Sequence, residues 1–401
     1  MRTLRRSIED VLAGQADSLR QMAFVTGPRQ VGKTTACRAF RPGCRYLDWD
    51  DQDARRTILA GPAAVAAACG LDRIAAAIPV VVLDELHKYR RWKRFLKGFF
   101  DTWGDRVRIV VTGSSRLDLY RRGGDSLMGR YFLHRMHPLS VGELLRPAVL
   151  EAPTAPPGPI PESDWRALLE HGGFPEPFLR RDRRFTLRWQ ALREKQLVRE
   201  DVRDTSRVQE LDQLEVFVRL LAAGSGHQLG YTRLSREVQV TVDTVRRWLV
   251  LLESLHHGFR VRPWHRNVAR SLRKEPKWYL RDWAAVEDPG ARAETFAACH
   301  LLKAVESWED AGLGRFELRY LRDKERREAD CLVVRDGKPW FLVEVKAGEE
   351  RISPSLLHFQ RQTGAAHAFQ AVLEAPFVAA DCFRRGDPCI VPARTLLSQL
   401  P

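Results

Sequence analysis

Residues 27–35 read Gly27-Pro28-Arg29-Gln30-Val31-Gly32-Lys33-Thr34-Thr35 and follow the apolar run Met22-Ala23-Phe24-Val25. The stretch has the pattern G-x-x-x-x-G-K-T, which binds phosphate where a buried strand enters a glycine-bounded loop and a helix leaves it. Backbone N–H groups of such a loop point inward and surround a β-phosphate at the helix N-terminus. An ordinary glycine turn before a helix is the alternative, but the motif and its setting agree on a phosphate site.

The polar side chains of this loop predict a nucleotide site. Lys33 is expected to reach the β- and γ-phosphates, and the Thr34 hydroxyl is expected to hold Mg²⁺. We therefore predict that ATP and Mg²⁺ bind here, through residues of the loop and of the first helical turn: Gly27, Gly32, Lys33, Thr34 and Thr35.

Two later apolar runs supply candidate catalytic groups. Residues 79–85 read as a buried parallel strand that ends in Asp84 and Glu85,. Asp84 is expected to position Mg²⁺ and Glu85 to polarise the attacking water, whereas solvated acids after a strand are the alternative. Residues 108–115 predict a second such strand, whose Ser114 and Ser115 hydroxyls are expected to sense the γ-phosphate. Strands that alternate with helices predict a doubly wound α/β domain with its site at the topological switch point.

Composition indicates a folded protein with a polyanionic partner. The chain has 401 residues, of which 44% are hydrophobic and 29% charged, so we expect two or three soluble domains,. Its net charge of +15 favours DNA as a partner, and arginines that are merely solvated are the alternative,. The seven cysteines form no C-x-x-C pair, and no apolar run reaches the length of a membrane span,. We therefore expect reduced thiols, a cytoplasmic location and no membrane contact.

Five motifs in this order resemble one known group of proteins. They are VTGPRQVGKTT, VVVLDELHK, VVTGSSRL, LMGRYFLHRMHPLSVGEL and GGFPEPF. Together they resemble the bacterial and archaeal AAA-type ATPases that carry a C-terminal domain of the DUF4143 class. The resemblance implies a P-loop AAA+ fold and a Mg-ATP-driven motor or switch that assembles into a homo-oligomer, expected to be a hexameric ring.

The resemblance also suggests a role for Arg130. Ring ATPases complete each site with an arginine from the neighbouring subunit, which stabilises charge on the transferred phosphoryl group. Arg130 lies in the Gly-Arg motif of the group and is the first candidate for this catalytic role. An ion pair within the subunit is the alternative.

Composition and pattern divide the chain into four predicted parts. Residues 1–145 are expected to form the ATPase core, and the proline-rich stretch that follows begins a linker and helical lid over residues 146–209,. Residues 210–280 are expected to form a winged helix-turn-helix. Residues 281–401 are expected to form a restriction-endonuclease-like α/β domain.

The predicted winged helix is basic. Residues 231–274 contain ten Lys or Arg and three Asp or Glu, a local net charge of +7. Thr241, Thr244, Arg246 and Arg247 are expected to project from the second helix toward DNA. Because this helix carries neither Asn nor Gln, we expect recognition of DNA structure and not of sequence. A packing module between the flanking domains is the alternative.

The C-terminal part resembles the PD-(D/E)xK nuclease core. Asp330 precedes a hairpin turn at Asp336-Gly337, and Glu344-x-Lys346 follows it,. The resemblance implies that Asp330 and Glu344, with Glu294 on the preceding helix, hold a metal ion beside a catalytic Lys346. A domain retained for DNA binding or assembly, without cleavage, is the alternative.

Three functions follow from these features. The first is an oligomeric DNA-binding ATPase that remodels or translocates DNA, with branched or forked DNA in repair or recombination as its expected substrate. The second is an ATP-gated, metal-dependent DNA nuclease in genome defence. The third is a nucleotide-dependent signalling switch whose C-terminal half binds protein.

Overall fold

The structure is a computed structural model that describes residues 4–74, 76–113, 127–202, 210–265, 275–348 and 351–401. The chain divides into two compact units. The first contains Met1–His137 and Pro147–Val149, and the second contains Pro138–Arg146 and Leu150–Pro401. Among the described residues, no helix is both long enough and apolar enough to cross a membrane.

The first unit alternates helices and strands. The strands form one parallel sheet in the order β2-β3-β4-β1-β5. This arrangement confirms the predicted parallel α/β architecture. In chain order the elements are α1 (Ser7–Ser18), β1 (Met22–Thr26), α2 (Lys33–Ala39), β2 (Arg45–Asp48), α3 (Gln52–Leu59), α4 (Pro62–Ala68), β3 (Val80–Asp84), a 3₁₀ turn (Leu86–Lys88), α5 (Trp92–Trp103), β4 (Arg108–Gly113) and β5 (Tyr131–Arg135).

The central strands of this sheet are covered on both faces. Every residue of β1 and β3 is buried, which explains why both strands read as apolar runs without alternation,. Helix α5 packs Trp92, Phe95 and Phe99 into the same core, because residues three and four apart share one helical face,. The buried sheet thus fixes the positions at which its strands end, and their carboxyl ends share one edge.

The second unit begins with helices and ends in a mixed sheet. Its seven strands have the order β12-β11-β10-β9-β8-β6-β7. In chain order the elements are α6 (Val141–Leu145), α7 (Glu162–His171), α8 (Pro175–Arg180), α9 (Arg183–Gln196), a π-helical turn (Leu197–Val202), α10 (Leu211–Ala223), α11 (Tyr231–Glu237), α12 (Val242–Ser254), β6 (Gly258–Pro263), β7 (Lys277–Leu280), a 3₁₀ turn (Trp283–Ala285), α13 (Pro289–Asp310), β8 (Phe316–Arg322), β9 (Glu328–Arg335), β10 (Lys338–Lys346), α14 (Pro354–Thr363), β11 (His367–Val372), a 3₁₀ turn (Cys382–Arg384), β12 (Cys389–Pro392) and α15 (Ala393–Ser398).

One sheet runs through the two parts that the sequence predicted to be separate at residue 280. Strand β6 pairs in parallel with β8, so that Arg262 lies opposite Arg319 and Pro263 opposite Tyr320. An unpaired edge strand leaves backbone N–H and C=O groups without partners, and this pairing satisfies them. The hairpin between β9 and β10 turns at Asp336-Gly337, as the sequence predicted, and both residues have positive φ.

The segment that carries the HPLSVGEL motif packs within the second unit. The Ser140 hydroxyl caps α6 by accepting the N–H of Glu143 at 3.2 Å. The Glu143 carboxylate lies 2.5 Å from the ammonium of Lys303 on α13, and both groups are buried. Gly142 approaches the C-terminal residues so closely that a Cβ atom would lie 1.7 Å from the carbonyl oxygen of Leu400. These contacts give the motif a structural role.

The GGFPE motif is also built into the packing of this unit. The Leu139 N–H donates to the Gly173 carbonyl at 2.7 Å, which joins the GGFPE turn to the HPLSVGEL segment. A Cβ atom at Gly173 would lie 2.4 Å from the Trp283 ring, so only glycine fits there without movement of its neighbours. Phe174 is fully buried. The two most distinctive motifs of the sequence therefore meet in one buried contact.

Candidate functional site

The loop between β1 and α2 has a backbone that requires glycine at both ends. Gly27 has φ 154°, and a Cβ atom there would lie 2.2 Å from the carbonyl oxygen of Met136. Gly32 has φ 99° and is the N-cap residue of α2,. Residues 28–31 therefore wrap around the N-terminus of a helix, where backbone N–H groups have no partners within the helix. This is the geometry of an anion site.

Lys33 lies across this loop and is buried. Its Nζ donates to the carbonyl oxygens of Gly27 and Pro28, each at 2.8 Å. Burial lowers the pKa of Lys33 to about 8, although the carboxylates of Glu85 and Asp84 oppose this shift,. A buried ammonium that is held mainly by carbonyl dipoles gains more from an approaching phosphate than a solvated one, because little water screens it.

The Asp84 carboxylate, at the end of β3, accepts four hydrogen bonds. Its Oδ2 accepts from the Thr34 hydroxyl at 2.9 Å and from the Tyr46 hydroxyl. Its Oδ1 accepts from the Thr112 hydroxyl and from the N–H of Glu85, the latter at 3.1 Å. These donors lie on α2, on two neighbouring strands and on the next residue of the chain. The carboxylate is thereby fixed beside Thr34.

Glu85 follows directly and has a constrained backbone. Its φ of 52° lies in the left-handed region, which residues other than glycine rarely adopt,. Its Oε2 lies 3.8 Å from His87 Nε2 and 3.7 Å from Lys88 Nζ. Burial raises the pKa of Glu85, although Lys33 and Lys88 oppose the shift. A carboxylate with a raised pKa is a better proton acceptor, so this group is suited to polarise a water molecule.

The donors at this edge fit a magnesium ion with a nucleotide. A threonine hydroxyl and a carboxylate are hard oxygen ligands, and Thr34 Oγ1 and Asp84 Oδ2 lie 2.9 Å apart,. Thr35 lies in the same first turn of α2. Ser114 and Ser115 lie outside the described residues, and β4 ends at Gly113, so the described hydroxyl on that strand is Thr112.

Tyr46 and Thr112 are site residues that sequence reasoning missed. Both lie on strands that flank β3 in the sheet, and both bond to Asp84. The sequence shows a hydroxyl-bearing residue in each of these segments, Tyr46 in Arg45–Asp48 and Thr112 in Arg108–Gly113. It does not show the strand order that brings both hydroxyls to the same carboxylate, so the signal could be read only once the sheet was known.

Arg130 lies at the opposite edge of the sheet from the loop. It directly precedes β5, and its carbonyl accepts the N–H of Met22 at the start of β1. Its guanidinium forms a bidentate pair with Asp101, at 2.7 and 3.0 Å. This hydrogen-bonded pair lowers the pKa of Asp101. Within its own chain Arg130 therefore makes the ion pair that was the alternative to a catalytic role.

The candidate nuclease residues lie together in the second unit, but their bonds differ from those expected. Glu294 accepts hydrogen bonds from Lys277 Nζ at 2.7 Å and from the Tyr279 hydroxyl at 2.6 Å. Asp330 accepts the N–H of Val345 at 2.9 Å. Burial, followed by the Glu294 carboxylate, raises the pKa of Asp330.

Glu344 and Lys346 complete this group without forming a metal site. Glu344 Oε1 lies 3.3 Å from Lys346 Nζ. Throughout the part of the chain that the structure describes, no group of three or more His, Cys, Asp or Glu side chains is arranged to hold a metal ion. The expected set of Glu294, Asp330 and Glu344 therefore does not fit a metal as it stands. The physical reason is Lys277, which the sequence prediction did not include.

The candidate DNA-binding residues lie at the front of α12. The Thr241 hydroxyl caps this helix by accepting the N–H of Thr244 at 3.1 Å. Arg247 donates to the Thr244 hydroxyl at 2.9 Å, and Arg246 lies 3.1 Å from Asp243. Both arginines are exposed to solvent. Capping thus sets where the helix begins, and the helix presents two adjacent guanidinium groups.

A known domain family matches most of the first unit and the first residues of the second. Residues 19–145 match the family model described as "AAA domain", which covers β1 through α6 and includes the loop, Asp84 and Glu85. Together with the loop, Asp84 and Glu85, this match supports an AAA-type, nucleotide-dependent ATPase domain over these residues, which is the coarser part of the prediction.

The second unit matches a different family from the expected one. Residues 162–286 match the model described as "Domain of unknown function (DUF8612)". This range spans α7 to the 3₁₀ turn after β7. The expected C-terminal domain of the DUF4143 class is not what the comparison finds there.

Two curated relatives extend along most of the chain. Uncharacterized protein Rv2008c of Mycobacterium tuberculosis and uncharacterized protein Mb2031c of Mycobacterium bovis are each 25% identical over 354 residues, which is 84% of this chain and 72% of the relative.

Solved structures with partial similarity are the Walker-type ATPase PABY2304 of Pyrococcus abyssi and AMPPCP-bound DnaA of Aquifex aeolicus. The first has 14% identity and a TM-score of 0.41 and covers 73% of this chain and 98% of its own. The second has 14% identity and a TM-score of 0.31, and the match covers 62% of this chain and 86% of the DnaA chain.

We predict that Tyr46 contributes to metal use at this site. Replacement of Tyr46 by Phe removes one donor to Asp84, a hydrogen bond to a charged group worth about 1.5–3 kcal/mol. The half-saturating Mg²⁺ concentration for ATP hydrolysis is expected to rise roughly tenfold, since 1.4 kcal/mol is a factor of ten. Titration of ATPase activity with Mg²⁺ at saturating ATP measures this, with Tyr89→Phe as a control. An unchanged Mg²⁺ dependence in Tyr46→Phe would remove Tyr46 from the site.

Proposed function

We propose that this chain is a Mg²⁺-dependent ATPase that couples hydrolysis to the binding and remodelling of DNA. The observation that carries the ATPase part is the convergence of Lys33, Thr34, Asp84 and Glu85 at one edge of the sheet, inside a matched AAA domain. The observation that supports the DNA part is the exposed pair of arginines on the capped helix α12.

Each residue of the nucleotide site has a distinct task in this proposal. The N–H groups after Gly27 hold the phosphates, and Lys33 exchanges its bonds to the loop carbonyls for the β- and γ-phosphate oxygens,. Thr34 and Asp84 would hold Mg²⁺, which when bound neutralises charge on the phosphates. Glu85 accepts a hydrogen bond from the attacking water and orients it toward the γ-phosphate.

Two substitutions separate binding from hydrolysis. We expect Lys33→Ala to abolish tight binding of ATP, because the phosphates lose their buried cation. Glu85→Gln is expected to keep ATP affinity and to lower turnover about a hundredfold or more, because an amide is a poor proton acceptor. Fluorescent-nucleotide titration and phosphate release measure the two quantities, with Lys97→Ala as a control. Undiminished hydrolysis by Lys33→Ala would overturn the site assignment.

The surface around α12 has the chemistry of a phosphate-binding face. Arg246 lies with its guanidinium 5.7 Å from the Tyr231 ring at the start of α11, so the two helices adjoin there. Arg233 and Arg236 on α11 are also exposed. The order α10, α11, α12, β6 and β7, with an isolated bridge from Gln228 to Lys277, is the order of a winged helix and supports the predicted DNA contact,.

Salt dependence tests this DNA contact. Replacement of both Arg246 and Arg247 by Ala removes two phosphate contacts, so the slope of log K against log salt is expected to fall by about 2. DNA affinity should fall equally for different sequences, because neither side chain is expected to read bases. Fluorescence anisotropy with duplex and forked DNA measures both effects.

The double variant Arg183→Ala/Arg184→Ala is the matched control, since these two adjacent arginines begin another exposed helix. Equal losses of DNA affinity in the two double variants would mean that the overall positive charge, and not a specific contact at α12, holds the DNA. No DNA affinity of the unaltered protein at moderate salt would instead favour the nucleotide-dependent switch whose C-terminal half binds protein.

The proposal includes assembly into a ring, expected to be hexameric, in which Arg130 acts on a neighbouring subunit. Arg130 lies at the sheet edge opposite its own loop, so any contact of this arginine with ATP must be made in trans. Such a contact requires the pair with Asp101 to open.

Two single substitutions distinguish a catalytic Arg130 from a structural one. Arg130→Ala is expected to lower ATP turnover by about a thousandfold. Asp101→Ala removes the same ion pair but leaves the arginine available, so its turnover should stay within about threefold of the unaltered protein, as expected for loss of an exposed pair. Multi-angle light scattering with an ATP analogue gives the subunit number. Equal turnover in both variants would assign Arg130 a structural role only.

A further inference from the structure

Lys277 places a buried ammonium among the carboxylates of the nuclease-like centre. It lies on β7 and is almost fully shielded, with 2% of its surface exposed. Its Nζ lies 2.7 Å from Glu294 Oε1 and also contacts Glu328 Oε1. The aromatic ring of Tyr320 lies 5.6 Å away and closes another side.

Each carboxylate of the nuclease-like centre already has a hydrogen-bond donor or a cation beside it. Glu294 also accepts from the Tyr279 hydroxyl at 2.6 Å, and Glu328 pairs with Arg322 at 2.8 Å. Asp330 accepts a backbone N–H, and Glu344 Oε1 lies near Lys346. Among the described residues, Glu344 Oε2 is buried without a hydrogen-bond partner. An added cation would meet no competing donor from the described part of the chain at this oxygen.

A divalent ion and the Lys277 ammonium compete for the same oxygens. Mg²⁺ binds oxygen ligands at about 2.0–2.1 Å. Neutral hydroxyl donors, such as those at Asp84, can rotate away from an arriving ion, whereas the Lys277 ammonium keeps its positive charge beside these oxygens. The lone pairs of Glu294 Oε1 are engaged by Lys277 and Tyr279. A metal that displaced Lys277 would leave a buried ammonium without its counterions, which is strongly unfavourable. The Lys277 ammonium, which is part of the chain, is therefore favoured over a divalent ion as the cation bound to these carboxylates.

We propose that Lys277 is the resident cation of this centre, so that the C-terminal domain works without a divalent metal and binds its partner without cutting it. The ammonium ties Glu294 on α13 to Glu328 on β9 from a strand of the predicted winged helix. Glu294, which a nuclease of this kind would use for a metal, serves here with Glu328 to join these elements. This proposal does not depend on ATP hydrolysis.

Binding of Mn²⁺ to the nucleotide-free, full-length protein tests the proposal. All proteins carry Thr34→Ala, so that the ATP site does not contribute an ion. Electron paramagnetic resonance of free Mn²⁺ is expected to show no bound ion with Lys277 intact. Lys277→Met, which keeps the length of the apolar stem and removes the charge, is expected to gain one Mn²⁺ site. Adding Glu344→Gln to that variant is expected to remove the site again.

Lys277→Arg is the conservative control and is expected to bind no Mn²⁺, because it keeps the positive charge. A folded Lys277→Met variant that gains no site would overturn the resident-cation role. Mn²⁺ bound to the protein with Lys277 intact, and lost in Glu344→Gln, would overturn it as well.

A second measurement keeps the proposal testable if Lys277→Met does not fold. Plasmid and single-stranded DNA are incubated with Mg²⁺ or Mn²⁺ and either the unaltered protein or Lys346→Ala. We expect no cleavage by either protein, and no change in the melting temperature of the Thr34→Ala protein between EDTA and Mn²⁺. Cleavage that Lys346→Ala abolishes would establish a metal-dependent nuclease and refute the proposal.

Discussion

The nucleotide site depends on the hydrogen bonds that converge on the Asp84 carboxylate. Thr34 comes from α2, Tyr46 from β2 and Thr112 from β4, so one side chain joins three neighbouring strands and the helix that follows the loop. A buried carboxylate is costly unless donors satisfy it. The strands that flank β3 supply those donors and, in doing so, fix the edge of the sheet at which nucleotide chemistry takes place. The position of Glu85, one residue later, follows from the same constraint.

The sequence predicted the parts of this site that a local pattern determines. The glycine-bounded loop, Lys33 and the acidic end of β3 follow from motif and periodicity, because strand, loop and helix are neighbours along the chain. Tyr46 and Thr112 were missed because their contribution depends on which strands lie beside β3. Strand order is a tertiary property, and the hydrophobic pattern of β2, β3 and β4 is compatible with several orders,.

In the second unit, too, the sequence predicted local features correctly and missed a contact between strands that are far apart in the chain. The hairpin at Asp336-Gly337 was predicted correctly, because that dipeptide specifies its own turn,. The boundary at residue 280 was predicted between two domains, but β6 pairs with β8 and one sheet crosses it. This pairing joins a few residues of β6 to residues of β8 that are far away in sequence, and it consists of backbone hydrogen bonds. Side-chain patterns give no signal for such a contact.

Two buried lysines in the candidate sites, Lys33 and Lys277, differ in how well their own chain satisfies their charge. The Lys33 ammonium has carbonyl oxygens as its direct partners, and burial lowers its pKa to about 8. Burial alone would also lower the pKa of Lys277, but Glu294, Asp330 and Glu328 outweigh it and raise the pKa above its usual value. The Lys277 ammonium is thus neutralised by carboxylates of its own chain, whereas the Lys33 ammonium, among the described residues, has only carbonyl oxygens as hydrogen-bond acceptors. A phosphate anion completes the first centre, whereas a metal cation has to displace a partner from the second. This difference supports nucleotide chemistry in the first unit and leaves the second unit with its proposed role of binding a partner.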